Sequence, residues 1–409
     1  MIATAAACGA RTGLEVVKEE RGEGGESPDG GGGAGGEPPI LCEDELVPTT
    51  PAHIRLPHGG AAVRSLEIVR PPSAAGFACI VSDVANDDGT WDVAHGCFEA
   101  WGAWPGSLGT AFLTAGSDGG VAATEGAAGY GMVVGSRSGA SPSAAFEVPP
   151  NDNSVSWNQL VMPSTGHRAA FLARSPGGEH FAGLAEITEK TERLGVFRVG
   201  PQSTEPLGEI ACAEGPIAAE AVASHDELVI ATANGLEFDR CDQAADLEPP
   251  SRLQVLALAP GGGTELRYEA LHDAPVVDVR AMAGDAGATW IAWESGGAVS
   301  LVSVGPSGPE AAPVLVAEGS RGAIALAERH GEPIVATVHK AMGQEPEISV
   351  LRVTAEGDVE LLGRFDTLGA RWLRDLDLVV EPSTGHVIVA YVGQIGSNER
   401  AFARRLECP

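Results

Sequence analysis

Short apolar runs of strand length recur along the whole chain. They lie roughly 40 to 60 residues apart, a period typical of solenoids and propellers. Turn residues flank each run, which favours strands over helices. The seven runs are Ala78–Val81, Met132–Val134, Ala169–Leu172, Val229–Ala231, Ile291–Trp293, Ile334–Ala336 and Val387–Ala390. Their spacing predicts a repeat architecture built from strands.

A repeated pentapeptide supports this periodicity. Residues 163–167 and 382–386 both read Pro-Ser-Thr-Gly-His, and each copy lies between two apolar segments. Such a tract is typical of a hairpin turn. We therefore expect His167 and His386 to begin strands at equivalent positions, and we interpret both as structural residues rather than ligands.

Further strand-like segments complete each repeat. Val196–Val199, Leu301–Val304 and Val350–Val353 each open into a turn, and more strands follow downstream. One unit then contains four strands, and about seven such units are the signature of a β-propeller. The predicted fold is all-β: a propeller of seven four-stranded blades over about residues 41–409, with the seven apolar runs as interior strands.

The end of the chain indicates how the ring closes. The last unit supplies about three strands before the chain ends, at Trp372–Glu381, Val387–Val392 and Ala401–Leu406. A closed ring needs a fourth strand there. We expect it from the N-terminal side, near Ala52–Leu56 or Val63–Val69.

The first 40 residues differ in composition from the rest. Residues 9–40 hold a charged stretch and the segment Gly30–Gly36, which is glycine except for Ala34. Such a segment cannot bury enough apolar surface to offset its chain entropy. We predict a disordered, Gly/Glu-rich tether.

The stretch ahead of this tether, Ala5-Ala6-Ala7-Cys8-Gly9, resembles the lipobox of bacterial lipoproteins. In that family the cysteine thiol is acylated after the signal peptide is cut just before it. The resemblance implies that residues 1–8 are the remnant of a signal segment, that a lipid is attached at Cys8, and that the protein is extracytoplasmic, in the periplasm or at the cell surface. The alternative is an accidental alanine run, since Met1–Ala7 is too short for a complete signal segment.

Six further cysteines favour disulfides in an oxidising compartment. Six cysteines allow 15 connectivities, but topology favours three pairs. These are Cys79 with Cys97 across a hairpin turn, Cys42 with Cys408 at the two ends that ring closure joins, and Cys212 with Cys241 as the remainder. The alternative is six free thiols in a cytoplasmic protein. No cysteine or histidine spacing matches a zinc site.

The strong negative charge limits the class of partner. The chain has 26 Lys and Arg against 56 Asp and Glu, a formal net charge of −30. This balance argues against nucleic acid and against direct docking on anionic lipid. We expect the protein to contact a membrane only through a lipid anchor and to be a monomer.

Motifs for catalysis are scarce. The ten histidines are scattered, and there is no nucleophile elbow or phosphate-binding loop, so we predict no catalytic residue, no metal and no cofactor. Asn86–Trp91 faintly resembles the Asp-box of sialidase-type propellers, but it occurs once and lacks a spacer residue. We interpret it as an Asp-Gly turn, with a calcium loop as the alternative.

Trp101 and Trp104 are the candidate ligand contacts. Aromatic residues make up only 5% of the chain, and these two lie in a Gly- and Pro-rich stretch that joins strands. Exposed tryptophan on a propeller rim is suited to contact with a sugar or a protein. The alternative is that both pack between blades.

Two function classes remain open. The first is an extracytoplasmic, membrane-tethered binding or scaffold module for a protein or glycan ligand. The second is a propeller enzyme that acts on carbohydrate, such as a glycosidase or lyase. Because no chemically paired residues are visible in the sequence, we favour the binding module. A central pocket with converging carboxylates and an arginine or histidine would favour the enzyme.

Overall fold

The part of the chain that the structure describes is almost entirely antiparallel β-strand. The computed structural model describes residues 45–49, 54–55, 62–70, 76–85, 90–99, 111–113, 119–126, 129–136, 143–148, 158–160, 167–187, 191–200, 203–213, 217–224, 227–233, 251–259, 263–340 and 344–409. The only helical segment among these residues is a 3-10 turn at Asp285–Gly287.

Seven sheets follow one another along the chain, and each is one blade of a propeller. In blades 1 to 6 the first strand is innermost and the last strand is outermost.

The first three blades have four strands each. Blade 1 contains β3 (Ala62–Val69), β4 (Phe77–Ala85), β5 (Trp91–Glu99) and β6 (Ala111–Leu113); blade 2 contains β7 (Val121–Glu125), β8 (Tyr130–Val134), β9 (Ala144–Val148) and β10 (Asn158–Leu160); blade 3 contains β11 (His167–Arg174), β12 (His180–Ile187), β13 (Glu192–Val199) and β14 (Thr204–Ala213).

The next three blades repeat this order, with the outer strand of blade 5 divided into two short pieces. Blade 4 contains β15 (Ala218–Ala223), β16 (Leu228–Ala233), β17 (Ser251–Leu258) and β18 (Thr264–His272); blade 5 contains β19 (Val276–Ala283), β20 (Thr289–Ser295), β21 (Ala298–Gly305), β22 (Gly308–Pro309) and β23 (Val314–Glu318); blade 6 contains β24 (Ser320–Arg329), β25 (Glu332–His339), β26 (Glu347–Val353) and β27 (Val359–Asp366).

Blade 7 joins the two ends of the described chain. Its strands β28 (Leu373–Val380), β29 (Val387–Ile395) and β30 (Asn398–Glu407) are completed by β1 (Val47–Pro48) and β2 (Ile54–Arg55), which both pair with β30. The prediction of a closing strand near Ala52–Leu56 is confirmed. The other candidate segment, Val63–Val69, instead lies in the innermost strand of blade 1.

The second strands of the blades are buried along most of their length. In β4, for example, all seven residues between the terminal Phe77 and Ala85 are buried. Such strands read as continuous apolar runs because neighbouring blades cover both of their faces. This burial explains why six of the seven predicted runs lie on second strands.

Blade 3 differs from the other six in the strand that carries its apolar run. The run Ala169–Leu172 lies on the innermost strand β11, and the second strand is β12. The reason is close contact with blade 2, where the Ala169 amide donates to the Gly119 carbonyl over 3.1 Å. A Cβ atom added at Gly119 would lie 2.4 Å from the His167 carbonyl oxygen. Small residues on β11 allow this backbone approach, so an innermost strand also reads as an apolar run.

The two pentapeptides consequently do not occupy equivalent positions. His167 begins β11, the first strand of blade 3, whereas His386 immediately precedes β29, the second strand of blade 7. His167 is buried edge-on against Phe197. His386 ends a turn in which its backbone amide donates to the Thr384 hydroxyl over 3.2 Å.

The cysteine pairing is confirmed for Cys79 and Cys97. They face each other directly on β4 and β5 and form a disulfide, with 4.0 Å between their Cα atoms. Cys212 and Cys408 are each disulfide-bonded as well. Their predicted partners, Cys241 and Cys42, lie outside the described residues, so those two pairings stay predictions.

Residues Pro39–Pro409 form one compact unit, and the residues before it lie outside the part of the chain that the structure describes. Within the described part of the chain, no helix has the length and apolar character that a membrane-spanning segment requires.

Candidate functional site

The innermost strands of the seven blades surround a central cavity of about 620 Å³. The cavity lies at the end of the ring where these strands finish and turn back into the second strands. Six ionisable side chains line it: Glu67, Arg70, Glu125, Arg174, Glu328 and Asp377. Every blade contributes residues to its wall, so no single segment of the sequence contains the site.

Arg280 on β19 reaches across the central channel towards blades 6 and 7. Its Nε donates to the Ile324 carbonyl over 3.1 Å. Its Nη2 donates to Asp375 Oδ1 over 3.1 Å and to the Leu376 carbonyl over 3.2 Å. One guanidinium therefore ties the innermost strands of three blades together.

Carboxyl groups from blades 1, 4 and 5 surround the same guanidinium. Nη1 of Arg280 lies 3.7 Å from Glu67 Oε1 and 3.8 Å from Glu220 Oε2, and its Nε lies 3.6 Å from Asp278 Oδ1. With Asp375, these side chains are only 13% to 23% exposed. Their residual exposure places the group in a narrow, polar channel rather than on an open surface.

We call this group the Arg280 cluster. It consists of Arg280 with Glu67, Glu220, Asp278, Asp375 and Asp377. Asp377 belongs to it because its carboxyl is hydrogen-bonded to that of Glu67. Glu67 and Asp377 also line the cavity, so the cluster is the floor of the cavity. Five carboxyl groups there face one guanidinium.

Three aspartates of the cluster hold neighbouring blades together. The backbone amides of Leu66 and Ile68 on β3 each donate over 2.8 Å, to Asp375 Oδ2 and Asp377 Oδ2 on β28. The Ile324 amide donates to Asp278 Oδ2 over 3.0 Å. The first two bonds join the last blade to the first, at the axis of the ring.

The crowding of carboxyl groups disfavours their ionised forms. Burial raises the pKa of Glu220 and of Asp375 to about 7, although Arg280 opposes the shift. Burial and then repulsion from Asp377 raise the pKa of Glu67 well above its usual value. Burial likewise raises the pKa values of Asp278 and Asp377, with Arg280 again opposing. At neutral pH the cluster therefore holds protons that isolated carboxylates would have lost.

Charges of both signs line the cavity wall above this floor. The Arg70 Nε lies 3.9 Å from Glu125 Oε1, and its Nη1 donates to the Val380 carbonyl over 3.4 Å. Burial raises the pKa of Glu125, against the effect of Arg70. Among the described residues, no set of three or more His, Cys, Asp or Glu side chains is arranged to hold a metal ion.

The structure does not place the candidate lipid attachment site or the candidate ligand contacts. Cys8, Trp101 and Trp104 lie outside the described residues, as do Asn86–Gly89 of the Asp-box-like segment. Chain order places that segment between the second and third strands of blade 1. The proposed lipid attachment and the proposed ligand contacts therefore stay predictions.

Sequence reasoning missed all six members of the Arg280 cluster. A signal was present, because Asp278 with Arg280, and Asp375 with Asp377, alternate with other residues inside strand-like segments. Charged side chains at alternate positions of a strand share one face. The other five innermost strands offer no comparable pair in the cluster, so their arrangement around the axis could not be read from spacing.

The similarity of this chain to known proteins lies in its fold. No protein-family model matches the chain, and no curated protein matches it. Trypanosoma rangeli sialidase in complex with the inhibitor DANA is a similar solved structure, at 9% identity and a TM-score of 0.46. The match covers 88% of this chain and 59% of the sialidase, so the chain spans little more than half the length of that protein.

Two other similar structures are matched over a larger share of their own length than the sialidase is. Aleuria aurantia lectin, solved with Fucα1-6GlcNAc, has 12% identity and a TM-score of 0.46, over 74% of this chain and 96% of the lectin. The endo-arabinase from Bacteroides thetaiotaomicron has 10% identity and a TM-score of 0.36, over 56% of this chain and 90% of the enzyme. These likenesses concern overall shape, so the function has to be argued from the cavity itself.

Proposed function

We propose that the chain is a binding module whose central cavity holds a small polyhydroxylated ligand, such as the end of a glycan. The observation that carries this proposal is the cavity of about 620 Å³ with wall residues from every blade. That volume falls within the range of about 300 to 1,000 Å³ found for small-ligand pockets. Carboxylates accept hydrogen bonds from hydroxyls and guanidiniums donate to them, so the lining suits a polyol.

The charge of the floor favours some ligands over others. Five carboxyl groups and one guanidinium make up the Arg280 cluster, and burial, followed by repulsion between neighbouring carboxyl groups, raises the pKa values of Glu67, Glu220 and Asp375. An anionic ligand would add to that charge, whereas a neutral or cationic ligand would not. We therefore propose neutral sugars and amino sugars as the ligand class, and not uronic or sialic acids.

An array of immobilised oligosaccharides that end in glucose, glucosamine or glucuronate tests this proposal, since the three sugars share one ring skeleton and differ in charge. We expect the protein to bind the neutral or amino-terminated chains and to bind the glucuronate-terminated chain most weakly. A preference for glucuronate, or no binding to any of the three, would contradict it.

We further propose that the module is extracytoplasmic and membrane-tethered through Cys8. The disulfide between Cys79 and Cys97, and the disulfide-bonded state of Cys212 and Cys408, support an oxidising compartment. The lipobox-like sequence before a Gly-rich stretch supports the tether.

Membrane fractionation tests the tether, with the gene expressed in a bacterium that processes lipoproteins. We expect the wild type in the membrane fraction and Cys8→Ala in the soluble fraction, because the variant lacks the thiol to which a lipid would be attached. Equal partition of the two proteins into the soluble fraction would show that Cys8 carries no lipid.

An enzyme that acts on carbohydrate is the second candidate. One observation favours it: Glu220 has a pKa of about 7, which suits a general acid near neutral pH. Against it, Asp278, Asp375 and Asp377 already accept backbone amides of neighbouring blades. Release of nitrophenol from nitrophenyl glycosides by the wild type, and its loss in Glu220→Gln, would favour the enzyme.

A further inference from the structure

Two sets of hydrogen bonds close the ring between the last and the first blade, one at the rim and one at the axis. At the rim, β1 and β2 pair with β30. At the axis, Asp375 and Asp377 accept the amides of Leu66 and Ile68. We call the axial pair of hydrogen bonds the axial seam. The chain enters blade 1 from β1 and β2, and these two strands of two residues each are held in blade 7 by their pairing with β30. Local opening at this junction therefore costs less than opening between other blades.

The groups that face the axial seam are mostly acidic. From β3 comes Glu67, from β15 Glu220, and from β19 Asp278 and Arg280. The neighbouring strand β24 contributes the Ile324 carbonyl, which Arg280 already binds.

The strand on the other side of β28 adds no charge to this group. Tyr391 is the titratable residue of β29, and it stacks against Phe402 and packs near Phe365 instead. On the other side of β3, Asp83 of β4 accepts the amide of Ser65, the residue before Leu66. The balance of charge at the axial seam is therefore set by the Arg280 cluster together with Asp83.

We propose that the axial seam is a pH-sensitive clasp, closed while the Arg280 cluster shares protons and loosened as those protons leave on the alkaline side of neutrality. Both aspartates can accept the amides of Leu66 and Ile68 whether or not they are ionised, because a carboxylic acid keeps a carbonyl oxygen as acceptor. What changes with pH is the repulsion between carboxyl groups that Arg280 alone cannot neutralise.

The direction of the effect follows from proton linkage. Asp375 and Glu220 titrate in the folded protein with a pKa of about 7. In the unfolded chain they titrate near 4. Between these values the folded state binds more protons than the unfolded state, so stability falls as the pH rises. The contribution is complete below about pH 4 and is lost as the pH passes about 7.

The test is the equilibrium unfolding of the full chain in urea at pH 5, 6, 7 and 8. For each extra proton held by the folded state, the unfolding constant should rise by about tenfold per pH unit. Asp375→Asn and Glu220→Gln should each flatten this dependence. The control Asp358→Asn changes an exposed carboxylate on the turn between β26 and β27 and should leave the dependence as in the wild type.

Two outcomes would overturn the clasp. One is a stability that stays constant or increases from pH 5 to pH 8. The other is a change of slope in Asp358→Asn as large as that in Glu220→Gln. Because Asp375 makes a bond between blades and its variant could fold poorly, Glu220→Gln is the decisive variant: its carboxyl accepts the amide of the adjacent Ala221 and none from another blade.

Hydrogen exchange locates the effect. After correction for the intrinsic pH dependence of exchange, β3 and β28 should lose protection between pH 5 and pH 8, while blades 3 and 4 should not. Equal loss of protection in all blades would show general destabilisation and would contradict a clasp at this seam.

Discussion

Replacing Arg280 with methionine is expected to lower the free energy of unfolding by about 3 to 5 kcal/mol at pH 8, the range measured when one partner of a buried ion pair is removed. Arg280 lies within 3.8 Å of carboxyl oxygens from Glu67, Glu220, Asp278 and Asp375. Methionine fills similar space but leaves these carboxyl groups without a cation.

The loss of unfolding free energy should depend on pH. This dependence distinguishes an electrostatic cause from poor packing. At pH 5 the raised pKa values keep much of the cluster protonated, so the absence of Arg280 should cost less than at pH 8. Urea titrations at both pH values measure the difference. A loss that is the same at pH 5 and pH 8 would mean that Arg280 acts mainly by filling space.

Arg364→Met is the matched control. Arg364 also pairs with a carboxylate, Glu347, at 3.5 Å, but its side chain is 52% exposed. Exposed ion pairs contribute about 0 to 1 kcal/mol. We therefore expect a change of that size at either pH.

The second large effect is expected at the contact between blades 2 and 3. A Cβ atom on Gly135 would lie 2.5 Å from the Ala169 amide nitrogen, 2.7 Å from the His167 carbonyl oxygen and 2.8 Å from the Gly119 carbonyl oxygen. All three atoms belong to backbone, so they cannot rotate away. Gly135→Ala should destabilise the protein by about 1 to 3 kcal/mol or more, the usual cost of overpacking.

Gly263→Ala serves as the control for this substitution. No atom lies within 4 Å of the position that its Cβ would take, and its carbonyl can still accept the Ala259 amide. We expect an unchanged or slightly increased melting temperature, because alanine restricts the unfolded chain more than glycine does. Equal melting temperatures for the two alanine variants would contradict the close approach of the blades.

The architecture could be predicted because burial leaves a direct trace in the sequence. Strands covered on both faces are mostly apolar, and β4 shows this from Ala78 to Val81. The run at Ala169–Leu172 lies on the innermost strand β11 instead, where the Ala169 amide contacts the backbone of blade 2. Sequence periodicity does not distinguish these two reasons for an apolar strand.

The site could not be predicted because its members come from distant parts of the chain. Arg280 meets Glu67, Glu220 and Asp375 only after the ring closes. Which side chains face one another across the axis depends on the register and twist of separate blades. Local spacing shows at most that Asp278 and Arg280 share a face of one strand.

A variant that fills the cavity at the axis tests whether this cavity is the ligand site. Ala283 lines the cavity, is exposed at its mouth, and lies on the same strand as Arg280. Ala283→Trp should block the cavity and leave the Arg280 cluster in place. Ala355→Trp places the same side chain on an exposed turn, between β26 and β27.

Binding of the wild type and these two variants to one oligosaccharide array is the decisive measurement, with their melting temperatures recorded in parallel. We predict that Ala283→Trp loses binding while Ala355→Trp binds as the wild type does, at similar melting temperatures. Binding by Ala283→Trp at the wild-type level would contradict a ligand site in the central cavity, because it would place the ligand elsewhere.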